Sequence, residues 1–158
     1  MIPSKTFCIL PWIHIHAGPV GAAAPCCISK SASTLDGVGN ARTDRLIELV
    51  NSKKMNQLRI DMLNGVQNEE CKACYDQEKE HIKSFRISSN EDYSKYVPDV
   101  LTNTDIDGSI KDFKLRYFDI RFNNICNFKC RTCGQEFSSQ WEQENIKNNV
   151  SYAQISEL

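Results

Sequence analysis

From Thr6 to Ser29 the chain carries no Asp, Glu, Lys or Arg, and His14 and His16 alternate with Ile13 and Ile15. That two-residue period is the mark of a half-buried strand. Gly18-Pro19-Val20-Gly21 supplies turn chemistry, and a second short apolar run leads into Pro25-Cys26-Cys27. The segment reads as strand, turn, strand. Further on, Ser29–Asn40 is small and polar, with Asp36-Gly37 and Gly39-Asn40, and reads as a loop. Thr43 is placed to cap a short helix carrying Leu46, Ile47 and Val50. Ser52 is placed to cap a second, with Met55, Leu58 and Met62 at helical spacing and Gly65 as its stop. Cys71-Lys72-Ala73-Cys74 leads into a charged helical stretch, Asp76–Arg86, most simply a solvated face. Ser89–Asp112 has no sustained apolar period and contains Pro98 and Gly108, so it reads as a linker.

Beyond it the pattern changes. Phe118, Ile120 and Phe122 alternate with Asp119 and Arg121, which makes Lys114–Asn123 a strand with one apolar face. Gln135–Lys147 follows as a helix that places Phe137 and Trp141 one turn apart, as core residues. Three regions result: 1–88, a linker over 89–112, and 113–158.

Composition narrows the function. Nineteen Lys+Arg against 20 Asp+Glu give a net charge of −1, which attracts neither nucleic acid nor an anionic membrane surface. Pro11, Pro19 and Pro25 break the uncharged opening segment. It therefore offers neither the ~7–15 unbroken apolar residues of a secretion signal nor the ~20 of a spanning helix. The expected compartment is the cytoplasm. Eight cysteines stand out, too many for an ordinary cytosolic chain and spaced as CxxC and CxxxCxxC rather than as cross-links.

Cys126, Cys130 and Cys133 lie within eight residues, between the strand and the helix, with no fourth Cys or His nearby. Structural zinc wants four ligands. A cubic iron–sulfur cluster held by three thiolates keeps one iron open for an outside ligand. His14 and His16 share a strand face, a spacing that also suits a metal, although a half-exposed strand explains it equally well. Arg116 and Arg121 on the strand could touch a carboxylate, with surface duty the simpler reading.

Asn124-Ile125-Cys126-Asn127-Phe128-Lys129-Cys130-Arg131-Thr132-Cys133-Gly134, directly after a strand, resembles the cluster loop of radical S-adenosylmethionine (radical SAM) enzymes. The resemblance implies that Cys126, Cys130 and Cys133 hold a [4Fe-4S] cluster whose open iron is chelated by S-adenosylmethionine. In that family an electron from the cluster cleaves the cofactor to methionine and a 5′-deoxyadenosyl radical, which abstracts hydrogen from a substrate. The residue before the last cysteine is often bulky there and can contact the adenine. It is Thr132 in this chain, so no adenine contact is assigned.

Cys8, twelve residues, Gly21, four residues and Cys26 resemble the opening of the SPASM and shorter twitch auxiliary-cluster domains of the same family. Gly39-Asn40, then Leu46-Ile47-Glu48-Leu49, then Cys71-Lys72-Ala73-Cys74 continue the likeness. It implies an auxiliary [4Fe-4S] cluster closed by Cys8, Cys26, Cys71 and Cys74. Cys26 rather than Cys27 is favoured because the Gly-x4-Cys spacing falls on it, and neighbours on a strand point opposite ways. On this group alone, a four-cysteine zinc site uses the same ligand number and softness.

The implied fold is an α+β cysteine-rich auxiliary-cluster domain, a β-hairpin plus helices, followed by the first βα unit of a partial (β/α)6 radical SAM barrel. Six such units need roughly 180 residues. Phe113–Leu158 is far shorter, so the expectation is an amino-terminal portion of a longer enzyme. The implied partners are S-adenosylmethionine, a reducing electron donor and a peptide or protein substrate, with no nucleic acid and no membrane. No catalytic side chain is assigned. The alternative is a small non-catalytic module holding structural zinc or a single electron-transfer cluster.

Overall fold

The structure, a computed structural model, describes residues 2–32 and 37–150. Asp36, in the expected loop, and the stretch 151–158 lie outside the described residues. Two compact units separate, Met1–Ala17 with Gly21–Ile120 and Gly18–Val20 with Arg121–Leu158.

In the first unit a one-turn helix, Leu10–Ile13 (α1), with Pro11 in its first turn, passes directly into a strand, His14–Ala17 (β1). β1 pairs antiparallel with Ala22–Ala24 (β2), which pairs with Gly39–Asn40 (β3), so the expected hairpin is present. Leu46–Val50 (α2) and Lys53–Leu63 (α3) follow. Ser52 caps α3 by accepting the N–H of Met55, and Gly65 takes φ +74° just past its end, as the sequence predicts. Lys72–Lys79 (α4), Phe85–Asp92 (α5) and Val97–Thr102 (α6) are the further α-helices of this unit among the described residues. Tyr117–Ile120 (β4) adds to the sheet parallel to β1, giving the order β3-β2-β1-β4. The unit is α+β, with Phe7, Ile9, Leu10 and Trp12 packed on Leu58 and Met62 of α3 and on Val97 and Val100 of α6.

Four readings are corrected. Thr43 does not cap α2. The carbonyl of Asn40 accepts the N–H groups of Thr43 and Asp44 in a turn, and the helix begins two residues later, with the Glu48 carboxylate accepting the Arg45 N–H at 3.0 Å. The charged stretch 76–86 is not one solvated helix. It breaks at His81, φ +59°, and Ser84 caps a second helix whose Arg86 is buried. Residues 89–112 are not a bare linker, since α6 and Ile110 place Val97, Val100 and Ile110 in the core. Their apolar positions are spread over pieces too short to show a period. Finally, β4 is shorter than the strand expected over 114–123, and its apolar side is exposed, Phe118 at 66% and Ile120 at 42%.

The opposite side of β4 meets the histidines, which are buried rather than half-exposed. His14 stands opposite Tyr117 and His16 opposite Asp119. His14 Nδ1 lies 3.0 Å from the Tyr117 carbonyl, which can only accept, so Nδ1 carries the proton. Its Nε2 is then a lone-pair position, buried without a hydrogen-bond partner among the described residues. Burial lowers the His14 pKa, more than Tyr117 and Asp119 raise it. His16 Nδ1 lies 3.0 Å from Asp119 Oδ2.

Arg59 is wholly buried on α3. Its guanidinium donates to the carbonyls of Pro11 at 2.9 Å, Gly108 at 2.9 Å, and Val50, and to Asn56 Oδ1 at 3.1 Å. Burial pulls its pKa down to about 9, so it stays protonated at neutral pH. Gly108 sits at φ +79° with its Cα against the Asn56 carbonyl, where a Cβ would collide.

Arg59→Met would leave three buried carbonyls without a donor. It should lower the unfolding free energy by roughly 3–5 kcal/mol in urea titrations. Lys53→Met, exposed on the same helix, should change it by less than ~0.5 kcal/mol. An Arg59→Met loss no larger than the Lys53 control would refute the tie. Because His14 is held neutral, the unfolded chain takes up the proton first on acidification. Its contribution is intact above about pH 6.5 and shrinks as pH falls below that value. His14→Phe should therefore show a smaller drop in urea midpoint than wild type between pH 7.5 and 5.5. Equal drops would exclude this role.

Candidate metal centres

Cys8 lies two residues before α1, Cys26 lies two residues after β2, and Cys71 and Cys74 bracket the first turn of α4. Cys8 and Cys74 are buried, Cys26 and Cys71 half-buried, and no disulfide links any of the eight cysteines. The fold brings the four together, so that every pair among them interacts electrostatically. Burial first, then Cys26 and Cys71, raise the Cys8 thiol well above its ordinary value, with Cys74 adding and the Leu10 N–H opposing. Burial likewise raises Cys26, against the N–H of Ile28, with Cys71, Cys27 and Cys74 adding to it. Cys71 is pushed up to about 12, chiefly by burial and Cys74, against a hydrogen bond from the Tyr75 hydroxyl.

Four converging thiols that repel as anions need a cation or a cluster to ionise together. Backbone N–H groups two residues on already point at two of the sulfurs, the donors that favour a thiolate there. Among the described residues no group of three or more His, Cys, Asp or Glu is drawn up to hold a single metal ion. A single tetrahedral zinc would bring its sulfurs to about 2.3 Å from one centre. An iron–sulfur cluster uses the same four thiolates as ligands. Cys27 interacts with Cys26 and Tyr117.

Around the four thiols lies a charged network that the sequence reading missed. Arg86, buried on α5, donates from Nη1 to the Phe7 carbonyl at 2.8 Å and binds Glu78 of α4 through Nε, at 3.0 Å, and Nη2. Its guanidinium lies 5.5 Å from the ring centroid of Tyr75. Burial opposes the charge on both partners. The bonds from Arg86 and Ser84 nevertheless hold the Glu78 carboxyl below its ordinary value, and Glu78 holds Arg86 above its own. Asn90 adds a bond from Nδ2 to the Phe7 carbonyl at 2.8 Å and accepts the Ile9 N–H at 2.9 Å. A spacing of eight between Glu78 and Arg86 across a helix break leaves no local periodic signal.

In the second unit, Cys126, Cys130 and Cys133 lie on an irregular loop, Cys130 exposed and the other two half-buried. The helix that follows is Ser139–Lys147 (α7), shorter than expected, and its start holds the loop. Ser138 Oγ donates to the Phe128 carbonyl at 2.6 Å, Ser139 N–H to the Asn124 carbonyl at 2.7 Å, and Trp141 Nε1–H to the Cys130 carbonyl at 3.0 Å. Cys133 N–H closes a turn on the Cys130 carbonyl at 3.0 Å. Phe137 precedes the helix, 38% exposed, with the Arg121 guanidinium 4.4 Å from its ring centroid. Trp141 thus supports the loop, and neither it nor Phe137 belongs to the buried core. Arg116 lies 4.6 Å from the centroid of Tyr96.

Among the described residues no helix is long and apolar enough to cross a membrane. Residues 8–75 match the family model of SPASM, an iron–sulfur cluster-binding domain. The match opens on Cys8, closes one residue after Cys74, and contains all four converging cysteines. No match was found among curated proteins or among solved structures.

Proposed function

We propose that this chain carries the two iron–sulfur sites of a radical SAM enzyme. Cys8, Cys26, Cys71 and Cys74 would close around an auxiliary [4Fe-4S] cluster, and Cys126, Cys130 and Cys133 would hold the cluster that binds S-adenosylmethionine. The observation that carries the reading is the convergence of four thiols inside the SPASM-matched segment. The three-thiol loop supports the second half by its sequence likeness and by its ligand count, which leaves one iron open.

The residues divide the work accordingly. The first four thiols saturate their site, which suits electron transfer or structure, while the loop thiols leave room for an outside ligand. Ser138, Ser139 and Trp141 bind carbonyls and an N–H group of the loop that carries the three cysteines. The bound cluster and cofactor would supply one-electron cleavage to a 5′-deoxyadenosyl radical, for hydrogen abstraction from a peptide or protein substrate. An external low-potential donor would provide the electron.

Iron and sulfide analysis after anaerobic reconstitution tests this. Wild type should hold about eight irons, and the Cys126/Cys130/Cys133→Ala variant about four. Cys26→Ser should lose close to four and Cys27→Ser none. Added S-adenosylmethionine should alter the electron paramagnetic resonance (EPR) signal of wild type but not of the triple variant. Zinc taken up with iron refused, or iron indifferent to both sets of substitutions, would overturn the proposal.

A further inference from the structure

Three contacts place the Arg86 guanidinium against the backbone and rings that flank the auxiliary thiols. Nη1 is bonded to the Phe7 carbonyl, in the peptide that leads into Cys8. The guanidinium lies over the ring of Tyr75, the residue after Cys74, whose hydroxyl donates to the Thr6 carbonyl at 3.4 Å, two residues before Cys8. Glu78, its bidentate partner, stands four residues after Cys74 on the same helix. Arg86 is 7% exposed, so solvent screens its charge little. Its field reaches both Cys8 and Cys71.

We infer that Arg86 and Glu78 form a built-in charge regulator of the four-cysteine site, Arg86 easing its reduction and Glu78 moderating that effect. The inference rests on the iron–sulfur reading above. One-electron reduction adds a negative charge to a site already bounded by four thiolates, with no bond made or broken in the protein. A fixed cation nearby favours the reduced state and a fixed anion disfavours it. Because the two charges are held in one ion pair, removing either leaves the other unbalanced. The two removals must therefore act with opposite sign. A purely structural role, holding the Phe7 carbonyl, predicts no such opposition.

The test is a dithionite potentiometric titration followed by EPR, on the full chain carrying Cys126/Cys130/Cys133→Ala so that only the four-cysteine site reports. Arg86→Gln should lower the midpoint potential by about tenfold in the reduction equilibrium, ~59 mV for one electron. Glu78→Gln should raise it comparably, and Arg86→Lys should stay nearer the parent. If Arg86→Gln fails to fold, the upward shift of Glu78→Gln decides alone. Iron retained with shifts of the same sign, or with no shifts, overturns the regulator while leaving the cluster reading intact. A parent protein that takes up no iron overturns both.

Discussion

Residues 6–11 run through the interior without belonging to a helix over most of their length or to a sheet, and buried backbone of that kind must find hydrogen-bond partners elsewhere. Side chains supply them. Thr6 reaches the Met62 carbonyl at 3.2 Å, Arg86 and Asn90 share the Phe7 carbonyl, Asn90 also takes the Ile9 N–H, and Arg59 takes the Pro11 carbonyl. Cys8 sits in the middle of this segment. Its position is thus set by α3 and α5 rather than by its own local conformation, and the convergence of the four thiols depends on those donors.

This constraint explains what was legible and what was not. The hairpin, the Ser52 cap and the Gly65 stop are local, written in alternation, a side-chain acceptor and a positive φ, and all three stand where the pattern puts them. The grouping of Cys8, Cys26, Cys71 and Cys74 was legible only through the likeness of their spacing to an auxiliary-cluster domain, since the seat of Cys8 is built by distant donors. Arg59 and Arg86 were not readable. Each looks like an ordinary surface cation on a charged helix, and only the long-range fold reveals that a buried carbonyl awaits it. The same holds for 89–112, whose apolar residues gain meaning only from the core they join.

For β4 the difference between expectation and structure lies in direction. Alternation in 114–123 identifies two faces but does not say which one packs, and the more polar face turned inward because the histidines of β1 offer it partners. The apolar face of β4 is left outward on an edge strand, the kind of surface that recruits further strands or helices. In the loop of the second unit, the cysteines were legible while their supports were not. Trp141 reads as core by hydropathy, yet it works through its one polar atom on the Cys130 carbonyl.

The side-chain support of Cys8 also has a temporal meaning. Cys8 and Cys26 are synthesised before Cys71 and Cys74, and the groups that seat the Cys8 segment extend further still, to Asn90. Throughout the interval a nascent chain would display thiols with no fixed geometry between them, open to stray metals and to oxidation. Loading the site correctly is therefore a late event, one that favours delivery of iron and sulfur to a folded chain over capture by an emerging one.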